Sequence, residues 1–212
     1  MKKVNWADQL LNFVGIILGV SLAFLINNAA ENAQDRAEYK QIVNSFISEI
    51  EYDINVYEKG SLPRNKAHIQ KIDSLLVKLS AGTLDNIMAY RDVFGYWNYY
   101  PNCGTFNSIS SSGKLDLIKD FELRKALTVY HQILVQEAKW RGSNQVNFHN
   151  QQIQPVLIHE INLAAPDMDK VPLEKFTNLL YLYRSLVESK IDQYEAVVEE
   201  AKKLKALLKD KA

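Results

Sequence analysis

The chain has 212 residues, and its 25 basic and 25 acidic side chains give it a formal charge of zero. That balance, with no Lys and Arg cluster marking a binding stripe, argues against a nucleic-acid footprint. One cysteine, Cys103, excludes an internal disulfide, and 8 glycines with 5 prolines suit a chain of helices joined by few turns.

Residues 1–9 are a short lead that carries Lys2, Lys3 and Trp6. Residues 10–26, LLNFVGIILGVSLAFLI, have no charged side chain, and Asn12 and Ser21 are the only polar ones. As a helix they rise about 26 Å, slightly under the roughly 30 Å hydrocarbon core, and flanks reaching to about residue 30 make up the difference. This reads as one transmembrane helix. Lys2 and Lys3 also fit the charged start of a cleaved signal, but the apolar run is long for one and no small-x-small cleavage site follows. No cysteine directly follows the run, which excludes a lipoprotein.

Orientation follows from charge. Lysines precede the span, whereas Arg36 and Lys40 after it sit among Glu31, Asp35 and Glu38. The expectation is an N-terminus in the cytoplasm and a periplasmic domain, anchored in a bacterial inner membrane. Gly15, Gly19 and Ala23 recur every four residues and share one helix face. Such a face lets two spans approach closely, so the expected partners are the bilayer and either a second copy or another membrane protein.

Residues 31–212 read as one helical domain. No Pro or Gly interrupts Asn27 to Tyr57, and Tyr39, Val43, Phe46, Ile50, Ile54 and Tyr57 fall at helical spacing. The span is therefore expected to run on as a rod of about 50 residues, capped by Gly60 with Pro63 just beyond. A second helix over about 64–80 carries Ile69, Ile72, Leu75, Leu76 and Leu79, and Gly82 stops it. A shorter segment, about 84–94, leads into the least regular stretch, Gly95 to Gly104, GYWNYYPNCG.

Residues 105–112 fit a short helix closed by Gly113, followed by an apolar knot of Leu115, Leu117 and Ile118. Asp120 is an N-cap for the next helix. Its expected stripe is Leu123, Leu127, Tyr130, Leu134, Glu137 and Trp140, with Ala126 and Ile133 beside it, and Pro155 kinks or ends it. Val156 to Ile161 is a short apolar piece, and Ala164-Ala165-Pro166-Asp167 is a turn. The last helix runs from Pro172 to about Lys209, with Leu180, Tyr183, Val187, Tyr194, Val197, Ala201, Leu204 and Leu208 at near-heptad spacing. Lys190 is the one misfit in that stripe. The predicted fold is all-α: a membrane span continuing into an elongated bundle with long first and last helices, the last packing along the first rod or pairing with another chain.

No catalytic constellation emerges. Ser111-Ser112-Gly113-Lys114 lacks the upstream glycine and the following Ser or Thr of a phosphate loop, and reads as a helix-stop turn. His68, His131, His149 and His159 have no ligand spacing, so no metal or cofactor is expected. Tyr96, Trp97, Tyr99 and Tyr100, with Tyr90 and Phe94 nearby, are dense enough to form a platform for a partner or ligand. The same rings can instead pin the loop to the bundle, or sit at the membrane surface as a belt. Pinning is the favoured reading. Cys103 reads as a small buried residue.

Two stretches resemble a known group. One is the apolar span ending in Leu25-Ile26-Asn27-Asn28 before a charged helix. The other is Thr105-Phe106 with Ser111-Ser112-Gly113-Lys114-Leu115-Asp116-Leu117-Ile118, Asp120 and Leu123-Arg124. Together they resemble a family of single-span bacterial membrane proteins of unknown function, frequent in Bacteroidota. Those proteins usually carry Trp where Ala29 stands here. The resemblance implies a bacterial membrane protein with a helical domain and transfers no catalytic residues. Two roles follow as expectations. The first is a non-enzymatic accessory subunit or self-assembling scaffold. The second is a sensor or ligand-binding module using residues 96–100.

Overall fold

A computed structural model of the protein describes residues 6–84, 86–161 and 172–211, with side chains from Leu10 onward. The turn expected at 164–167 and the lysines of the lead lie outside the described residues. Among those described, all regular structure is helical.

The first helix, α1 (Trp6–Val56), does not end at Gly60 as expected. It passes through a π turn at Tyr57–Ser61 into α2 (Leu62–Ser80). The N–H of Leu62 bonds the carbonyl of Tyr57, five residues back. The reason lies in Pro63, which has no N–H and whose ring collides with the carbonyl four residues earlier. A π turn widens the ladder just ahead of it, so the helix continues. Leu10 to Ser80 is thus one helical rod of 71 residues, about 105 Å long.

The same device recurs before Pro155. After α3 (Gly104–Ser111), α4 (Phe121–Thr128) leads through a π turn at Val129–Leu134 into α5 (Val135–Phe148). A further π turn, His149–Ile153, precedes α6 (Gln154–His159), and Pro155 sits in the first turn of α6. Pro155 therefore neither ends nor breaks this second rod. Asp120 caps α4 as expected, with Oδ1 accepting from the N–H of Leu123 at 3.0 Å.

The π turn at Val129–Leu134 overturns part of the expected stripe. It absorbs one extra residue, so every later position is displaced by one in the α-helical count. Val135, Ala138, Gly142 and Gln145 are buried, while Ile133 and Trp140 are 55% and 59% exposed. Leu134 is half-buried, and Glu137 pairs with Arg141 at 2.7 Å.

The last helix, α7 (Leu173–Lys211), is the axis of the domain. It packs on α1, α2, α4 and α5. Its ion pairs Lys209–Glu51, Lys202–Glu58, Lys66–Glu195 and Arg184–Asp73 set it antiparallel to the first rod. All eight residues of its expected stripe are buried, and so is Lys190. Phe46, Tyr57, Tyr130, Phe176, Tyr183 and Tyr194 fill the centre with almost no exposed surface. Each such side chain contributes roughly 1.5–3 kcal/mol or more by leaving water.

The connection between the rods is the fourth layer. Ile87–Phe94 is a 3-10 turn, 95–103 is extended and irregular, and α3 and the turn at Lys114–Leu117 complete the return. It ends where Lys114 pairs with Glu38 and Lys211 with Asp120. Beyond that end α1 projects alone. Leu10 to Ile26 are exposed on all sides, one segment long and apolar enough to cross a membrane.

Deleting one residue separates π turns from ordinary helix. Deletion of the exposed Gln132 is expected to turn its π turn into an α turn, leave α4 and α5 in phase, and cost about 1 kcal/mol. Deletion of the exposed Glu188, in unbroken α7, throws half that helix out of phase and is expected to abolish cooperative unfolding. Circular dichroism melts of the two variants check this.

Candidate functional site

The segment 93–105 runs through the interior without a ladder of its own. Its backbone polar groups are met by side chains from α1, α2 and α7. His68 Nε2 donates to the carbonyl of Val93 at 2.7 Å, and Tyr183 Oη donates to that of Gly95 at 3.0 Å. The carbonyl of Trp97 accepts from Asn65 Nδ2 at 3.0 Å and from Lys190 Nζ at 3.2 Å. Tyr194 Oη accepts from the N–H of Tyr99 at 3.2 Å and donates to its carbonyl at 3.4 Å. The N–H of Thr105 donates to Glu49 Oε2 at 3.1 Å.

Lys190 is the surprise of this network. It was the misfit of an apolar stripe, and it is fully buried. Besides Trp97, its amine donates to Asn98 Oδ1 at 3.0 Å and to Gln145 Oε1, and it lies 5.9 Å from the Tyr194 ring centre. Gln145 in turn donates to Tyr183 Oη at 2.9 Å. No carboxylate among its described partners balances the charge, and burial pulls its pKa down to about 7. The amine is sealed from solvent, which suits a clamp and not a nucleophile.

Asp53 fastens the other end of the loop. It is fully buried, and Oδ1 accepts from Tyr99 Oη at 2.6 Å while Oδ2 accepts from Tyr130 Oη at 3.2 Å. Burial raises its pKa to about 6, against the pull of the Tyr99 and Tyr130 hydroxyls, and the nearby Glu49 adds to the rise. Tyr57 packs edge-on against both Tyr99 and Tyr194 beside it. Burial pushes the Tyr99 and Tyr130 hydroxyls up, so both stay protonated donors.

The loop meets the second rod at Gly142. Asn98 Nδ2 donates to its carbonyl at 3.2 Å, and a Cβ there would sit 3.2 Å from Asn98 Cγ and Tyr100 Oη. A side chain there would crowd Asn98 and Tyr100, which would have to give by a few tenths of an ångström.

The four aromatic candidates therefore divide. Trp97 and Tyr99 are half-buried, with Trp97 edge-on to His68 at 5.1 Å, whereas Tyr96 and Tyr100 are 44% and 43% exposed. The membrane-belt reading does not hold for the rod as built. Asp53, under the loop, lies 27 residues past Ile26 on an unbroken helix, about 40 Å along its axis. Gly15, Gly19 and Ala23 lie far from this site on the bare stretch of α1, with open space beside both glycines.

His131 is boxed by Phe106, Phe46 and Tyr130, and burial lowers its pKa to about 4. Cys103 is buried, with its thiol pushed up by burial. Among the described residues no group of His, Cys, Asp and Glu could hold a metal ion. Sequence reading missed Asp53, Asn65 and Gln145, and noted His68 and Lys190 without giving them a role. Their signal was a polar residue at an apolar phase of its helix. The chain matches no family model, no curated protein and no solved structure.

Two outcomes follow. Tyr194→Phe, which strands both the N–H and the carbonyl of Tyr99, is expected to cost about 1–3 kcal/mol in urea unfolding. Asp53 and Lys190 also set a pH dependence. The pKa of Asp53 is raised in the fold, so its stabilising contribution is present below about 3.8 and lost as pH rises through about 6. That of Lys190 is lowered, so its contribution is present above about 10.5 and lost as pH falls through about 7. Asp53→Asn is therefore expected to gain about 1–2 kcal/mol over wild type at pH 7.5 and nothing below pH 4, measured by urea unfolding at each pH.

Proposed function

We propose that this chain is a single-pass bacterial membrane protein that acts by interaction, as an accessory subunit or self-assembling scaffold, with its helical domain in the periplasm. The observation that carries the reading is the continuity of α1. One helix joins the bare apolar segment to the packed core without a hinge. A span built this way fixes the height and rotation of the domain relative to whatever binds the span. The Gly15, Gly19 and Ala23 face supports close approach of a second helix. The buried ionisable groups favour a non-catalytic role, since Asp53 and Lys190 are engaged by the loop they hold.

A second reading, a ligand-binding module at residues 96–100, rests on the outward rings of Tyr96 and Tyr100. Trp97 serves the fold in either case. Trp97→Ala is expected to cost about 2 kcal/mol or more in urea unfolding, whereas Tyr96→Ala and Tyr100→Ala stay within about 0.5 kcal/mol.

The test is purification from native membranes in a gentle detergent, with mass and stoichiometry read by light scattering. A complex of fixed stoichiometry is expected, and Gly15→Ile with Gly19→Ile is expected to reduce its mass. A monomer without partners would sink the proposal, and an unchanged mass in the double variant would remove the span face from it.

A further inference from the structure

The end of the bundle nearest the apolar segment carries a cavity of about 330 Å³ between α1 and the turn that leads into α4. Asp35, Arg36 and Tyr39 stand on its α1 wall, and Leu117 and Lys119 on the other. We infer that it holds the headgroup of a phospholipid that carries both a phosphate and a primary amine. The inference rests on reading Leu10–Ile26 as a membrane span, and it names a lipid partner for the domain which that span anchors.

Height decides the class of partner. α1 is unbroken here, so position along it converts directly to distance. Asn32, at the lower rim of the cavity, stands about 9 Å past Ile26, and Tyr39 about 20 Å. The hydrocarbon ends between Ile26 and about residue 30, and headgroups fill roughly 5–8 Å beyond it. The lower rim therefore opens into the headgroup layer. Helical side chains also lean toward the N-terminus of their helix, which on α1 is the membrane side. Arg36 thus reaches down from its backbone toward the lipid phosphates. Phe121, the residue after Asp120, is 64% exposed at this same end, as suits an apolar ring beside a bilayer.

Charge decides the headgroup. Around the cavity Lys114 pairs with Glu38, Arg124 with Asp116 and Lys211 with Asp120. Arg36, Lys119 and Asp35 line it and take part in no ion pair among the described residues. The two cations suit a phosphate, which arginine meets with two parallel N–H groups. The remaining carboxylate repels a purely anionic headgroup and suits an ammonium. A primary ammonium donates hydrogen bonds to it, and a quaternary one has no N–H to give. Tyr39 and Leu117, both half-buried against the core, leave an apolar wall for the glycerol end of the lipid.

The test uses the full chain in a maltoside detergent, which carries no phosphate. Dioleoyl phosphatidylethanolamine, phosphatidylglycerol or phosphatidylcholine is added, and retained lipid is counted by native mass spectrometry. One phosphatidylethanolamine per chain is expected to stay bound, about fivefold or more above either of the others. Arg36→Ala and Lys119→Ala are each expected to lower that retention about tenfold, and Asp35→Asn to bring it down to the level of phosphatidylglycerol. All three side chains are exposed, so the melts of these variants are expected to stay near wild type. Arg64→Ala removes an exposed arginine about 55 Å past Ile26 and is expected to change nothing. The inference is overturned if no lipid is retained above the others, or if retention survives the three variants. It is also overturned if inorganic phosphate raises the melting temperature as much as the lipid does, since the site would then take a phosphate ion. Carbonate washing of native membranes tests the span by itself. A chain that washes off overturns both readings, whereas one that stays and prefers no lipid overturns this one alone.

Discussion

An irregular segment packed against a helical bundle, half-buried for most of its length, carries N–H and C=O groups that no neighbouring helix backbone can satisfy. Helices consume their own backbone hydrogen bonds, so only side chains are left to meet such a segment. Residues 93–105 take the place of a fourth helix here, and the composition of the core follows from that. His68, Asn65, Tyr183, Lys190 and Glu49 each supply a partner to one backbone group of the segment, and Tyr194 to two. Asp53, Gln145 and Asn98 then hold the loop side chains or the clamps themselves. Asp53, Asn65, His68 and Lys190 look wrong for the inner face of a helix and right for the loop they face.

The cost of this arrangement is two buried ions on either flank of one loop. A charge taken from water without an opposite partner is expensive, and several hydrogen bonds offset only part of that. Lys190 meets three oxygen acceptors and Asp53 two hydroxyl donors. Both pKa values move toward the neutral form, which is the physical sign that compensation is incomplete. The domain thus gives up stability near neutral pH to hold a defined loop path. Apolar side chains at these places would strand the Tyr99 and Tyr130 hydroxyls and Asn98 Oδ1, and leave the Trp97 carbonyl to Asn65 alone.

How much of this was legible in the sequence follows from the same physics. The long helices were legible because one apolar residue per turn is a repeated signal. All eight residues of the α7 stripe, the Asp120 cap and the Gly82 and Gly113 stops came through. What failed were the places where the period changes. A π turn holds more residues per turn than an α turn, so a count at 3.6 drifts by one position. Trp140 was put inside and Gln145 overlooked for that reason. Gly60 and Pro63 read as a stop because both disfavour an α turn, and a π turn relieves the proline without ending the helix. Carrying the apolar phase of α1 through Gly60 places Asn65 and His68 on the buried face. The loop partners themselves were not legible, since they are tens of residues distant in the chain and no local pattern links them.

The unbroken first rod ties the buried loop to the apolar segment mechanically. Hydrogen bonds run along the helix from Leu10 to Ser80, and the π turn at Tyr57–Ser61 keeps that ladder continuous. A hinge would need a glycine in a left-handed conformation or a break in the ladder, and the positive-φ glycines Gly82 and Gly113 both lie outside the rod. Tilt or rotation imposed on Leu10–Ile26 is therefore transmitted to Asp53 and Asn65, which stand on the same helix. Because those two residues hold Tyr99 and Trp97, the loop moves with the apolar segment as one body. Anything that held the Leu10–Ile26 face would thereby also set the height and facing of every surface the bundle offers, without any change inside the bundle.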